Sequence, residues 1–283
     1  MMNILPHRLI LDPLLNTWLQ EDMGRGDRTA QGLSLQQWGQ AQWLAKETGV
    51  IAGMPIAARV FELLSDQVQV NYAIAEGNQV QPSQVISTFN GPLDVLLMGE
   101  RVALNLAMRL SGIATATQKY TEAIADLPTQ LVDTRKTTPG LRILEKYATR
   151  VGGAINHRMG LDDAVMIKDN HIKAAGGIKP AIDSIRRTIP YPLTIEVETT
   201  TLEEVNQALK GAADIIMLDN MELALMKQAV QLIRNHNVKV KIEASGNVTL
   251  TTIRSIAETG VDYISSSAPI TRSPWLDLSM RIL

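Results

Sequence analysis

The 283-residue chain contains no cysteine. Disulfide scaffolds, cysteine-ligated zinc, iron–sulfur clusters and thiol nucleophiles are thereby excluded. Histidine is scarce. His7, His157, His171 and His236 are the only four, and their spacing matches neither an HExxH pair nor another metal motif. Aromatic residues make up 4% of the chain, too few to build stacking platforms for single-stranded nucleic acid. Neither sign of charge dominates: 27 Lys and Arg against 29 Asp and Glu leave a formal net charge of −2, so no nucleic-acid footprint is expected. No apolar run approaches the roughly 18 residues of a membrane-spanning helix. His7, Arg8 and Asp12 interrupt the N-terminal stretch, which does not read as a signal peptide. The expected setting is cytoplasmic, with no nucleic-acid or membrane partner.

What remains is a globular composition, 45% hydrophobic and 20% charged. The length suits two domains or one large α/β barrel. Residues 41–46, 49–51, 68–75 and 85–90 read as strands, and 55–64 as a helix, so the first part is mixed α and β. A strong helix is predicted over 94–110. Ser111-Gly112 is expected to interrupt it before a restart over 115–127, which Pro128 ends.

After Pro128 apolar runs of strand length alternate with helical segments. Strands are predicted over 130–133, 154–157, 164–167, 193–198, 214–218, 238–243 and 261–265. Helices are predicted over 141–151, 173–187, 202–210, 222–235 and 249–258. Such alternation implies parallel strands joined by right-handed crossovers, and seven of them suit a barrel. No glycine-rich dinucleotide fingerprint follows any strand.

Barrel chemistry sits at the C-terminal ends of strands. Those ends are polar nearly throughout: Asp133-Thr134-Arg135-Lys136, Asn156-His157-Arg158, Lys168-Asp169-Asn170-His171, Glu196-Val197-Glu198, Asp219-Asn220, Glu243-Ala244-Ser245-Gly246-Asn247 and Ser265-Ser266-Ser267. Between residues 134 and 160 six cations face the single acid Glu145. Arg142, Lys146 and Arg150 share one helix stripe opposite Leu144, Ala148 and Val151, and a solvated or subunit-contact face is expected for them. Arg135, Lys136, Arg158 and Lys168 sit instead at strand ends. Converging cations repel one another unless an anion joins them, so these four predict an anionic substrate site. Arginine matches carboxylate through its planar fork and lysine matches phosphate as a point charge, which suggests substrates carrying both groups.

His157 could add a hydrogen bond or be structural. His171 and its neighbours Asp169-Asn170 read as helix capping. Glu198 and Asp219 end neighbouring strands. They suit either a hydrated Mg²⁺, which takes oxygen ligands, or the stabilisation of positive charge on a sugar ring. Glu196, Lys241 and Glu243 alternate with apolar residues and read as a structural ladder of charges inside the barrel. Ser245-Gly246-Asn247 precedes a helix, and the serine run Ser265-Ser267 ends the last strand. Phosphate binding is expected at both.

Thr134-Arg135-Lys136-Thr137-Thr138-Pro139-Gly140-Leu141-Arg142 resembles the TRKTxPGLR signature of the quinolinate phosphoribosyltransferase family. The likeness continues through Gly152-Gly153, Asn156-His157-Arg158, Lys168-Asp169-Asn170-His171, Glu196-Val197-Glu198, Leu218-Asp219-Asn220 and Ser245-Gly246. Earlier, Glu21-Asp22, Gly26-Asp27, Gly99-Glu100-Arg101, Leu104-Asn105 and Ser111-Gly112-Ile113-Ala114-Thr115 agree as well, so the resemblance spans essentially the whole chain.

The resemblance implies an α/β fold in which an N-terminal α/β sandwich (1–112) precedes an incomplete, six- to seven-stranded α/β barrel (113–268). A tail from about 269 to 283 would pack back on the first domain. It implies transfer of phosphoribosyl from 5-phosphoribosyl 1-diphosphate to quinolinate with decarboxylation. The products would be nicotinate mononucleotide, diphosphate and CO₂, in NAD biosynthesis, with Mg²⁺ as cofactor. By motif position Arg101, Arg135, His157, Arg158 and Lys168 would surround quinolinate. Lys136, Glu198, Asp219 and Ser245-Gly246-Asn247 would hold the donor and its metal, the carboxylates through water. The implied assembly is a homodimer in which Arg101 completes the neighbouring site, with hexamers left open.

Two positions depart from the family pattern. Ser265-Ser266-Ser267-Ala268-Pro269-Ile270-Thr271-Arg272-Ser273 stands where a Ser-Val-Gly-Ala-Leu-Thr-His-Ser type segment is common, and Asn247 replaces a frequent glycine. Arg272 could contact phosphate or form a surface salt bridge. Competing readings are a paralogous phosphoribosyltransferase with another acceptor, a Schiff-base aldolase-type barrel using Lys136 or Lys168, and a non-catalytic anion-binding protein.

Overall fold

Alternating burial along Trp38–Ala45, with Ala41, Trp43 and Ala45 buried and Gln40, Gln42 and Leu44 more exposed, is the pattern of a half-buried sheet. The computed structural model describes residues 5–283. Two compact units are present. One comprises Met1–Gln118, Thr138–Gly153 and Arg272–Leu283, the other Lys119–Thr137 and Ala154–Thr271.

The first unit opens with helices α1 (Arg8–Met23) and α2 (Arg28–Leu33). Asp27 ends the glycine-rich break between them by capping α2, its Oδ1 accepting from the Thr29 and Ala30 N–H groups at 2.8 and 3.1 Å. There follow β1 (Trp38–Ala45), β2 (Gly49–Val50), α3 (Met54–Leu64), β3 (Gln69–Tyr72), β4 (Gln79–Val80), β5 (Val85–Pro92) and α4 (Leu93–Glu122). Both phenylalanines of the chain pack with Trp43 here: Phe61 and Phe89 lie 4.9 Å apart and Phe89 lies 5.1 Å from Trp43, between ring centroids.

The predicted interruption at Ser111-Gly112 does not occur. α4 runs unbroken for 30 residues. Tertiary contacts use the small residues instead: Ser111 Oγ accepts from Ala52 N–H at 2.9 Å and donates to Ala52 C=O at 3.1 Å. Gly112 lets Pro274 and Trp275 approach so closely that a Cβ there would collide with the Pro274 carbonyl.

The second unit begins its parallel sheet with β6 (Gln130–Val132). The next helix, α5 (Arg142–Val151), belongs to the first unit. The sheet resumes with β7 (Val165–Ile167), α6 (Asp169–Ala175), α7 (Ile178–Arg186), β8 (Ile195–Thr199), α8 (Leu202–Lys210), β9 (Ile215–Asp219), α9 (Leu223–His236), β10 (Lys241–Ser245), α10 (Ile253–Ala257), β11 (Tyr263–Ser265) and α11 (Ala268–Thr271). Six strands pair in parallel in the order β6-β11-β10-β9-β8-β7. Ile167, Ile195, Val197, Ile216, Leu218, Ile242, Ala244 and Ile264 have no exposed surface and form the core with the covering helices.

Three predicted elements differ. Residues 154–157 form no strand; a single bridge joins Ile155 to Val132. The helix predicted over 173–187 is two helices, because Gly176 and Gly177 take positive φ and turn the chain between them. The third is a charge pattern. Lys146, expected on a solvated stripe, is 1% exposed. The polar stripe of an amphipathic helix reads as outside only if no other element covers that side. The last strand, β12 (Leu278–Ile282), pairs antiparallel with β1, completing a four-stranded sheet in the order β12-β1-β5-β3. No helix among the described residues is long and apolar enough to cross a membrane.

Candidate active site

Parallel register decides which side chains share a face. Glu198 pairs with Met217, which pairs with Glu243, and Asp219 pairs with Ser245. Paired residues point to the same side and every second residue repeats it, so Glu196, Glu198, Asp219, Glu243 and Ser245 project together. Lys168 joins them by contact: its Nζ lies 2.6 Å from Glu198 Oε2. The backbone places it there because His171 Nδ1 accepts the Lys168 N–H at 3.0 Å, fixing the first turn of α6. His171 thus caps a helix, as expected.

Arg135 and Arg158 supply the strongest sign of an anion-binding site. Arg135 Nε is buried and has no hydrogen-bond partner. Burial, and next the charge of Arg135, hold the Arg158 pKa below its ordinary value, against opposing pulls from Glu196 and Asp163. Two guanidinium groups that repel one another at a half-buried position, one with an orphaned N–H, are chemically completed by an anion. Arg158 is held by Nη1 donating to the Ala164 carbonyl at 2.9 Å. Lys136 is exposed, its backbone N–H donating to Thr134 Oγ1 at 3.0 Å.

His157 does not stand alone. Its Nε2 lies 3.1 Å from Glu196 Oε2 and 3.5 Å from Glu243 Oε2, and its Nδ1 accepts the Arg158 backbone N–H at 2.7 Å. Burial by itself would push the ring's pKa down; hydrogen bonds to the two glutamates override it and lift it to about 10. Burial likewise raises Glu196, opposed by the hydrogen bond from His157 and reinforced by the charge of Glu243. A charged ring would carry hydrogen on Nδ1, against the Arg158 N–H. The backbone contact at Nδ1 suits the tautomer with its proton on Nε2, whereas the two carboxylates favour the charged ring.

The sequence-level ladder is corrected here. Glu196 and Glu243 are each 3% exposed, but Lys241 is exposed and reaches toward Asp262 at 3.8 Å. Among the described residues His157, Glu196 and Glu243 are the group whose ligand atoms, within 4.8 Å of one another, could share a cation. Asp133, given no role by the sequence, is 2% exposed and accepts from His157 N–H at 2.9 Å and Asn156 Nδ2 at 2.6 Å. Its only sequence signal was an acid at an apolar strand end.

Glu198 and Asp219 offer an all-oxygen donor set on adjacent strands, which fits Mg²⁺. Asp219 Oδ2 accepts from Asn220 Nδ2 at 2.7 Å, and Asn220 Oδ1 accepts from Asn247 Nδ2 at 3.1 Å. Asn220 and Asn247 both hold positive φ, which asparagine tolerates. Gly246 lies between them at φ +99°, and a Cβ there would collide with the Asn220 side chain. Ser265 and Ser266 are buried and Ser267 half-buried, with Ser266 Oγ accepting from Ala268 N–H at 3.3 Å. Arg272 is exposed. Arg101 lies in the first unit. It is exposed on α4, 3.6 Å from Glu100, in a cavity of about 460 Å³ lined also by Trp18, Glu21, Asp22, Arg109 and Trp275.

Comparison with known proteins gives the family and the fold. The description "Quinolinate phosphoribosyl transferase, N-terminal domain" matches residues 27–111, and its C-terminal counterpart matches 113–281. A Synechocystis sp. protein described as "Probable nicotinate-nucleotide pyrophosphorylase", carboxylating, is 62% identical over all of this chain and 96% of its own. A Bacillus subtilis protein of the same description is 42% identical over 98% and 94%. The solved nicotinate-nucleotide pyrophosphorylase of Francisella tularensis superposes with a TM-score of 0.93 at 38% identity, covering 99% of this chain and 98% of that one. The chain belongs to the quinolinate phosphoribosyl transferase family.

Proposed function

We propose that this chain transfers phosphoribosyl from 5-phosphoribosyl 1-diphosphate to quinolinate, releasing diphosphate and CO₂ and forming nicotinate mononucleotide for NAD synthesis. The carrying observation is the Arg135–Arg158 pair, mutually repulsive, half-buried and with an unpartnered N–H. Quinolinate carries two carboxylates, and a planar fork can bind each bidentately. Lys168 adds a third cation at the same rim.

The pyridine nitrogen forms a bond to the ribose carbon as the bond to diphosphate breaks. Positive charge develops on the sugar ring, as in glycoside cleavage. Glu198 and Asp219 stabilise it. Lys136 and the Ser245-Gly246-Asn247 turn bind the donor's phosphates, helped by Ser265, Ser266 and Ser267. Mg²⁺, held through water by Glu198 and Asp219, would neutralise charge on the leaving diphosphate. The ring nitrogen, now cationic, stabilises the carbanion left when the neighbouring carboxylate departs as CO₂, and that carbon takes up a proton. No Schiff base is needed, since three cations around one acceptor answer carboxylates and no carbonyl.

Purified protein supplied with Mg²⁺ and the donor should form nicotinate mononucleotide and CO₂ from quinolinate, and no product from nicotinate. Product from nicotinate alone would reassign the acceptor. Gly246→Ala should lower kcat/KM for the donor by about 10²-fold, because the Asn220 side chain that orients Asp219 must move. A change below threefold in steady-state kinetics would remove the turn from the donor site.

The working unit is a cytoplasmic homodimer in which Arg101 of one subunit completes the acceptor site of the other. Its exposure on a rigid 30-residue helix supports that role. Arg101→Ala and Glu198→Gln chains, each inactive alone, should recover about a quarter of native activity when mixed, since half of randomly formed symmetric dimers are hybrids with one intact site. Mixed dimers that stay inactive would place Arg101 in its own subunit's site.

A further inference from the structure

The segment 154–157 has an unusual burden. It carries Asn156 and His157 and leads directly into Arg158, yet it lacks a strand ladder. One bridge, Ile155 to Val132, replaces the hydrogen-bond rows that fix the neighbouring strands. Side chains supply what the backbone does not. Asp133 grips the segment from one side, through His157 N–H and Asn156 Nδ2. From the other side Glu196 and Glu243 hold the His157 ring at 3.1 and 3.5 Å. The ring in turn accepts the Arg158 N–H at 2.7 Å.

The glutamate pair is expensive. Each is 3% exposed, and Oε1 of each is buried with no hydrogen-bond partner. Buried charged clusters are often replaced by apolar residues of similar volume with no loss of stability. Fold stability therefore does not account for them, whereas the ring they orient does.

We infer that Glu196 and Glu243 are positioning residues for acceptor recognition: they clamp the His157 imidazole, and the ring fixes the backbone from which Arg158 reaches the acceptor's carboxylate. Neither glutamate touches substrate. Their action runs through the His157 ring to one arginine, so it falls on the acceptor and not on the donor, whose phosphates are assigned to residues other than Arg158. The inference rests on the acceptor reading given above.

Glu243→Met and Glu243→Gln in the full-length protein test it, with KM measured separately for quinolinate and for 5-phosphoribosyl 1-diphosphate, and quinolinate binding followed by calorimetry. Glu243→Met should raise the quinolinate KM and dissociation constant at least tenfold, leave the donor KM within twofold, and leave the thermal midpoint unchanged or higher. Glu243→Gln, which keeps an oxygen acceptor for the ring, should stay within threefold of native in both. Equal changes in both KM values, or unchanged quinolinate binding in Glu243→Met, would overturn the inference. Should Glu243→Met fail to fold, stability is the pair's role and the inference is again overturned, unless folded Glu196→Met shows the quinolinate-only rise. Wild-type protein that neither binds nor converts quinolinate would instead overturn the acceptor reading itself, and the inference with it.

Discussion

Glu198→Gln should lower kcat by about 10²–10³-fold, the usual loss when one preorganised group facing transition-state charge is removed. The substitution keeps shape and deletes only the charge. Glu198 is half-buried at the end of β8, where a unit charge about 4 Å away at an effective dielectric near 20 is worth about 4 kcal/mol. That magnitude matches the expected rate loss. The quinolinate KM should not rise. In the native protein Lys168 Nζ is engaged by Glu198 Oε2 at 2.6 Å, and the variant releases that ammonium toward the acceptor. Steady-state kinetics separate the cases: a raised KM with unchanged kcat would make Glu198 a ground-state binding group.

Glu145→Ala should destabilise the protein by about 3–5 kcal/mol, the cost of removing one member of a buried ion pair. Glu145 has no exposed surface. It accepts from Arg109 Nε and Nη2 at 3.2 and 2.7 Å, and from Thr138 N–H and Oγ1 at 2.8 and 2.9 Å. Arg109 also donates to Ser273 Oγ at 3.1 Å, so one carboxylate ties α4, the Pro139-Gly140 turn and the C-terminal segment together. At roughly 2–4 °C per kcal/mol for a domain of 150–250 residues, the thermal midpoint should fall by about 10 °C. Glu145→Gln, which keeps an acceptor for Thr138, should fall by less. A shift of under 1 °C in Glu145→Ala would show the hub contributes nothing.

Much of the parallel sheet was legible because its strands are covered on both faces and so read as short apolar runs between helices. The polar residues at their ends stood out against those runs, which is why Lys168, Glu198, Asp219 and Ser245-Gly246 could be named from spacing alone. The misses share one cause. Lys146 looked solvated, Ser111-Gly112 looked like a break and 154–157 looked like a strand, because each was judged by its local pattern. A covering neighbour buried the lysine, Ala52 and Pro274 engaged the small pair, and the last segment found one bridge in place of a ladder.

The order of strands and helices, the cluster of cations and the family motifs were determined by the sequence itself, since periodicity and composition are local properties of the chain. Tertiary structure alone decided that Glu196 and Glu243, on strands separated by β9, meet at one imidazole. It alone set Arg135 against Arg158 and made Glu145 a hub. The meeting of Glu196 and Glu243 depends on strand register and sheet order, and a slip of one residue in β8 or β10 would turn its glutamate to the opposite face.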